Sequence, residues 1–215
     1  MSVTRLLRRL ADPADPTSAS AGFRRRRFQA FVDRLAVRPG DRILDVGGDE
    51  ALWLETPYRN GVTVTNIAPA PAGAHLPYVQ ADACDLAAAF DTSSFDVVFS
   101  NSVVEHVGDF ERQRRFAAEV RRVGRRYWVQ TPYLHFPIEA HMLFPFFQYL
   151  PRSGQRWLGA RWKYSHFARG GQDVEDELRR LRLLDRRELR QLFPDGELFS
   201  ERVLGLTKSL VAYRR

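Results

Sequence analysis

The sequence has one cysteine, few lysines and no long hydrophobic run. Its single cysteine, Cys84, excludes an internal disulfide, because a disulfide needs two cysteines. The longest apolar run, 142–147, is far shorter than the ~20 residues that span a bilayer. Residues 1–10 lack the apolar stretch of a signal peptide. These absences exclude a membrane-spanning chain, and we expect a cytoplasmic protein.

Lysine contributes only Lys163 and Lys208 to the 33 basic residues, so the formal net charge of +7 comes from arginine. The arginines are interspersed with 26 acidic residues, which is typical of a solvated surface of mixed sign. We therefore expect no nucleic-acid partner. The densest run, 24–27, can also contact phosphates or lipid headgroups, so a weak membrane-surface contact remains an alternative.

Short apolar segments alternate with helical ones from residue 23 onward. They predict strands over 42–46, 62–64, 78–81, 95–99 and 127–131, helices near 23–35, over 110–123 and after Asp185, and final strands near 197–204 and 209–213. This pattern indicates an α/β fold: a Rossmann-like, doubly wound, mostly parallel sheet of seven strands with an antiparallel C-terminal edge hairpin. Residues 1–22 are expected to form a flexible basic leader, and 23–215 a single domain.

An aromatic-rich segment, 132–169, interrupts this alternation. Twelve of the 26 aromatic residues lie between 127 and 167. The segment follows the carboxyl end of the fifth strand, where open α/β sheets bind ligands. We interpret it as a helical insert that forms a lid over the substrate; the alternative is that it packs a thick flank of the core.

Polar residues and glycines follow the first four strands in register. They are Asp45, Gly47 and Gly48 after the first strand, Asn66 after the second, Asp82 and Ala83 after the third, and Asn101 after the fourth. The glycines let backbone approach a ligand closely, as in nucleotide-type cofactor sites. An amide after the second strand can bond ribose hydroxyls, and an Asp with a neighbouring N–H after the third can hold an adenine edge. Together they predict one crevice at the carboxyl edge of the sheet.

The stretches ILDVGG, VTVTN, YVQADACDL, FDVVFSNSVVEHV and YWVQTP, in this order, resemble class I S-adenosylmethionine-dependent methyltransferases. The closer resemblance is to type 11-like bacterial enzymes with an SNSVxEHV stretch, and it covers roughly 23–215. It implies S-adenosylmethionine as cofactor. Asp45, Gly47 and Gly48 would then hold its amino-acid end, Asn66 its ribose and Asp82 with Ala83 its adenine. Asn101 would form the wall beneath the sulfonium.

Histidines are the candidates for a base or an orienting group at the methyl acceptor. His106, next to Glu105, follows the fourth strand, and we assign these two as catalytic: His106 as a base or a group that orients the acceptor. The alternative is a structural cap of the loop. Tyr133, His135, Glu139 and His141 in the insert are expected to contact substrate. We predict no metal site, because the H-x3-E-x-H spacing is not a standard zinc motif and Pro137 interrupts it.

The sequence therefore predicts methyl transfer to a small-molecule, lipid-linked or glycan-type acceptor. One alternative is a cofactor-binding or non-catalytic partner module, favoured by Asp49, Ala51 and Asn66, which depart from the usual cofactor motif. Another is a nucleic-acid methyltransferase. That alternative is disfavoured, because the arginines are spread out and no Asn-Pro-Pro-aromatic motif for a flipped base is present.

Overall fold

The structure is a computed structural model and describes residues 19–139, 141–162 and 174–215. Most of the predicted leader lies outside the described residues, as do Tyr164 and Phe167 of the insert. The described residues fall into two compact units that divide between Arg38 and Pro39. The expectation of a single domain over 23–215 stays a prediction. The first unit contains helix α1, Ala19–Leu35, which begins four residues before the predicted domain boundary.

The second unit is built on one seven-stranded sheet. Its strands are β1 (Ile43–Val46), β2 (Val62–Asn66), β3 (Tyr78–Gln80), β4 (Phe95–Asn101), β5 (Gly124–Pro132), β8 (Glu197–Val203) and β9 (Leu206–Arg214). The order across the sheet is β3-β2-β1-β4-β5-β9-β8. The pairs from β3 to β5 are parallel, and β9 is antiparallel to both β5 and β8. The predicted Rossmann-like sheet with a C-terminal hairpin is confirmed.

The strand order places a topological switch between β1 and β4. The chain runs from β1 outward to β2 and β3, then returns to β4 on the other side of β1. Ligands of open α/β sheets bind in the crevice at such a switch, outside the carboxyl ends of the strands. A ligand site is therefore expected at the residues after β1 and β4.

Two helices pack on the sheet and share its main hydrophobic core. Helix α2, Phe110–Val123, buries Phe116, Val120 and Val123, whose spacing is that of one helical face. Helix α5, Arg186–Leu192, begins at the predicted capping box, in which Asp185 accepts from the backbone N–H of Glu188 and the Glu188 carboxylate accepts from that of Asp185. Helix α2 also fixes the loop after β4, because Gln113 Nε2 donates to the carbonyl of Val104 and Arg112 Nε to that of Val107.

The insert has a small core of its own. A two-stranded ribbon, β6 (Ile138–Glu139) and β7 (Phe144–Pro145), precedes helix α3 (Arg152–Arg161), and helix α4 (Val174–Arg180) follows later in the chain. Met142, Phe147 and Leu178 are buried together at its centre. The backbone of Leu134 donates to the carbonyl of Leu184, which joins the start of the insert to the chain after α4.

No helix in the described ranges is both long enough and apolar enough to cross a membrane.

Candidate functional site

The first strand ends in a buried carboxylate. Asp45 is 1% exposed, and its Oδ2 accepts a 2.7 Å hydrogen bond from Trp53 Nε1. Its Oδ1 is also buried and has no hydrogen-bond partner among the residues that the structure describes. Burial raises the pKa of Asp45 to about 7, the Trp53 bond opposes this shift and the charge of Asp49 adds to it. A buried acceptor without a partner is costly, so this oxygen suits a cationic or N–H donor from a ligand.

The two glycines after Asp45 have no room for a side chain. Gly47 has φ +71°, and a Cβ there would lie 2.7 Å from Val103 Cγ2. A Cβ on Gly48 would lie 1.9 Å from Asp45 Oδ2. The backbone N–H of Gly47 donates to the carbonyl of Thr65 at 2.7 Å, which ties this turn to β2. The glycines thus bring backbone close to both the carboxylate and the loop after β4.

The second and third strands end in the two polar side chains that the sequence predicts. Asn66 Oδ1 accepts a long bond, 3.4 Å, from the backbone N–H of Ala68. Asp82 accepts from Arg112 Nη2 at 2.7 Å and from the backbone N–H of Cys84 at 2.9 Å. Burial acts to raise the pKa of Asp82, but the bonds from Arg112 and Cys84 together hold this pKa below its ordinary value. Asp82 is therefore a carboxylate in a fixed orientation.

The fourth strand is fastened to its neighbours at the switch. Ser100 Oγ donates to the carbonyl of Val46 at 3.1 Å, which links β4 to the end of β1. Ser102 has φ +58°, and its Oγ donates to Gln130 Oε1 at 3.0 Å. Asn101 lies between these two anchored residues at the carboxyl end of β4. Val103, the residue after Ser102, lies close enough to Gly47 that a Cβ there would be 2.7 Å from its Cγ2, so this loop runs beside the glycine turn.

Four predicted residues from two separate segments meet beyond that loop. His106 Nε2 lies 3.0 Å from His141 Nε2, and His141 Nδ1 lies 2.7 Å from Glu139 Oε1. Donor atoms of Glu105, His106 and His141 all lie within 4.8 Å of one another. We call Glu105, His106, Glu139 and His141 the histidine cluster. It joins the predicted catalytic pair to two of the predicted substrate residues.

Burial dominates the electrostatics of the histidine cluster. It lowers the pKa of His106 to about 4, the positive charge of a protonated His141 acts in the same direction, and Glu139 opposes. His106 is therefore a neutral imidazole at pH 7. Burial acts to raise the pKa of Glu139, but bonds from the His141 ring and from the backbone N–H groups of His141 and Met142 hold it below its ordinary value. Glu139 is an ionised carboxylate that orients His141.

The other two predicted substrate residues lie outside the histidine cluster. His135 is exposed, and its Nδ1 lies 2.6 Å from the hydroxyl oxygen of Tyr149, whose ring it stacks on. Tyr133 packs edge-on against His135, with ring centroids 5.2 Å apart. Tyr133 also packs against the main hydrophobic core and forms a backbone bridge with Leu184.

Three residues that support the site were not predicted from the sequence. Trp53 holds Asp45, and Arg112 on α2 holds Asp82. Thr131 Oγ1 donates to Glu105 Oε2 at 3.0 Å inside the core. Thr131 is the last residue of the buried run of β5, and this position near a strand end is a signal that the sequence contains. The contacts of Trp53 and Arg112 depend on tertiary packing.

A cavity of about 440 Å³ opens between the insert and residues 178–183, beside the histidine cluster. Its walls combine leucine, phenylalanine and proline with a few polar groups: Glu139, Gln148, Arg152, Gln155 and Arg182. Glu139 both lines this cavity and bonds His141. Apolar walls with few polar groups are typical of small-molecule sites.

Comparison with known proteins gives one family. Residues 44–126, less than half of the chain, match the family model described as "Methyltransferase domain". The matched segment contains every predicted cofactor residue and ends before the insert. No curated protein sequence matches the chain.

Three solved structures share the fold at low identity. The PH0226 protein of Pyrococcus horikoshii OT3 is 14% identical with a TM-score of 0.56, covering 99% of this chain and 98% of that one. Magnesium protoporphyrin IX methyltransferase of Synechocystis PCC 6803 with bound S-adenosylmethionine is 12% identical with a TM-score of 0.50, covering 100% and 92%. A Rhodobacter sphaeroides protein described as a zinc-dependent alcohol dehydrogenase is 16% identical with a TM-score of 0.55, covering 87% of each chain. Such identities show the fold alone.

Proposed function

We propose that this chain is a class I S-adenosylmethionine-dependent methyltransferase and that its acceptor is a small-molecule, lipid-linked or glycan-type compound bound between the strand ends and the insert. The cofactor supplies a methyl group that is already activated on a sulfonium. The protein mainly has to hold donor and acceptor in line, which can contribute roughly 7–11 kcal/mol. The residues at the strand ends would hold the methyl donor, and those of the insert would hold the acceptor.

The cofactor is proposed to lie across the carboxyl ends of β1 to β4. The unpartnered Asp45 Oδ1 fits its ammonium group, and Gly47 with Gly48 leaves space for its amino-acid end. Asn66 would bond the ribose, Asp82 and Ala83 the adenine, and Asn101 would form the wall beneath the sulfonium. All of these positions follow strands that meet at one edge of the sheet, on both sides of the switch.

The acceptor is proposed to enter from the insert. The observation that carries this proposal is the 3.0 Å contact between His106, after β4, and His141, in the insert. It brings the insert against the loop that follows Asn101, and so towards the sulfonium end of the proposed cofactor site. His106 and Glu105 would then orient the acceptor, while the neighbouring cavity would receive its apolar part.

Calorimetric titration with S-adenosylhomocysteine tests the cofactor half. Asp82→Asn should weaken binding by about 1–3 kcal/mol, because a hydrogen-bonded partner of the cofactor is lost. Asp91→Asn, at an exposed position away from the strand ends, is the matched control and should bind like wild type. No binding by the wild-type chain would overturn the cofactor assignment, and equal binding by Asp82→Asn would overturn the adenine placement.

Labelled-methyl transfer tests the acceptor half. The enzyme is incubated with S-adenosylmethionine carrying a labelled methyl group and with cell extract, and the products are separated into organic-soluble, small aqueous and macromolecular fractions. We expect label in the organic-soluble or small aqueous fraction, including lipid-linked and glycan compounds. Label only in protein or nucleic acid would overturn the acceptor class.

A further inference from the structure

The histidine cluster has the donor geometry of a metal site. His106 and Glu105 follow β4, whereas His141 follows β6, and the three donor atoms lie within 4.8 Å of one another. Two imidazole nitrogens 3.0 Å apart can both lie ~2.1 Å from one ion, at an N–metal–N angle of roughly 90°. The imidazole rings are at 89° to each other, so the contact is edge-on and not a stacked pair.

The surrounding bonds resemble the outer shell of a metal centre. A metal-ligating histidine usually donates its other ring N–H to a carboxylate, and here His141 Nδ1 faces Glu139 Oε1 at 2.7 Å. Glu139 is fixed in turn by the backbone N–H groups of His141 and Met142. Glu105, the third donor, is oriented by the hydroxyl of Thr131. Two of the three donors are therefore held by a neighbouring residue, as ligands are in preorganised sites.

The two buried carboxylates of the histidine cluster also favour a bound cation. Glu105 and Glu139 are 0% and 2% exposed, so both carboxylates lie away from solvent beside the two imidazoles. Buried carboxylates are paired with cations or coordinate metals. A divalent cation between Glu105, His106 and His141 would offset the charge of both carboxylates. A plain hydrogen bond between the two imidazoles would not.

We propose that Glu105, His106 and His141 bind a divalent first-row transition ion, with Glu139 as the positioning residue of His141. Two imidazoles and one carboxylate are a donor set that suits zinc and its neighbours and leaves coordination positions open. An open position would hold an oxygen of a hydroxyl or carboxyl acceptor in its deprotonated form, and a hydroxyl would release its proton to solvent. That oxygen would then take the methyl group as its bond to the sulfonium breaks, which leaves S-adenosylhomocysteine. This use of the ion rests on the proposed methyl transfer; the binding of the ion does not. With both Nε2 atoms engaged as ligands, activation would come from the ion and not from His106 as a base.

Metal binding to the full chain tests the proposal without any acceptor. The protein is treated with a chelator, dialysed, and titrated with Zn²⁺ by calorimetry and with Co²⁺ by visible absorption. We expect one ion per chain and Co²⁺ bands of a site with nitrogen and oxygen ligands. Glu139→Gln should weaken Zn²⁺ binding about 10–100-fold, the usual effect of losing the partner of a ligating histidine. His141→Ala should abolish it.

His135→Ala is the matched control, because it removes an imidazole of the same insert that lies outside the histidine cluster. It should bind Zn²⁺ like wild type. Failure of the wild-type chain to bind either ion, or equal loss in His135→Ala, would overturn the metal site. If His141→Ala does not fold, the Co²⁺ spectrum of wild type and the Glu139→Gln titration still decide. Titration of each variant with S-adenosylhomocysteine separates the two proposals, since a missing metal site leaves cofactor binding intact.

Discussion

The indole N–H of Trp53 holds one oxygen of Asp45 at 2.7 Å, and both side chains are almost completely buried. The bond stabilises only one of the two carboxylate oxygens, Oδ2, because Oδ1 has no hydrogen-bond partner within the described chain. The pKa of Asp45 is accordingly raised to about 7 by burial, against the Trp53 bond. This carboxyl is therefore balanced between protonated and ionised forms near neutral pH until a cation joins it.

Cofactor affinity should depend on pH through Asp45. Only the ionised carboxylate attracts an ammonium group, so below pH 7 binding must first release a proton from Asp45. S-adenosylhomocysteine should therefore bind more weakly as pH falls from 8 to 5.5, by up to about tenfold per pH unit below the pKa. Calorimetry at pH 6.5 in two buffers of different ionisation enthalpy should show the released proton.

Asp45→Asn is the informative variant for this effect. It should bind weakly at pH 8 and show little change down to pH 5.5, whereas Asp82→Asn should keep the wild-type slope. A wild-type affinity that stays constant between pH 5.5 and 8 would contradict the role given to Asp45.

Trp53→Phe should destabilise the protein, and more at high pH than at low pH. Loss of the indole N–H leaves a buried acceptor unmatched, at a cost of about 1–3 kcal/mol. The Trp53 bond lowers the folded pKa of Asp45 against the effect of burial, so its loss raises this pKa further and costs more at pH 8, where the carboxylate is ionised, than at pH 6. Urea unfolding at pH 6 and pH 8 measures the difference. Trp128→Phe, a similar loss of volume in the buried part of β5, should destabilise equally at both pH values.

The sheet was predictable because its signals are local. Buried β-branched runs mark β1, β2 and β4, and Asp185 with Glu188 marks the start of α5. Polar residues at strand ends were predictable for the same reason, since parallel strands must meet at one edge. The positions of Asp45, Asn66, Asp82 and Asn101 follow from the strand register alone.

The histidine cluster was not predictable in its present form. The sequence groups His135, Glu139 and His141 by their short spacing, but the segment has no regular period that fixes which side chain points inward. In the fold, Glu139 and His141 face His106, 35 residues before His141, whereas His135 faces Tyr149. A spacing test for zinc motifs cannot detect this cluster, because Glu105 and His106 come from one segment and His141 from another.

Removal of residues 1–17 should leave the thermal midpoint within about 1–2 °C of the full chain. Helix α1 begins at Ala19, and the Pro, Ser and Ala content of 12–18 argues against buried contacts. At roughly 2–4 °C per kcal/mol for a chain of this size, such a change means little lost stability. Differential scanning calorimetry measures it. A drop of many degrees would show that the apolar residues of 1–10 pack on the folded chain.

Gly47→Ala should cost both stability and cofactor affinity, and Gly73→Ala separates the two causes. Both glycines have φ in the left-handed region, +71° and +78°, so each alanine pays a backbone cost of about 1 kcal/mol. Only at Gly47 would the new methyl group meet a neighbour, Val103 Cγ2 at 2.7 Å, whereas nothing lies within 4 Å at Gly73. Gly47→Ala should therefore unfold at lower urea than Gly73→Ala and bind S-adenosylhomocysteine more weakly, while Gly73→Ala binds normally. Val103→Ala added to Gly47→Ala should restore part of the loss, because it removes the two methyl groups that the new Cβ meets. Equal effects of the two glycine variants would show that the turn, and not the contact with Val103, limits this position.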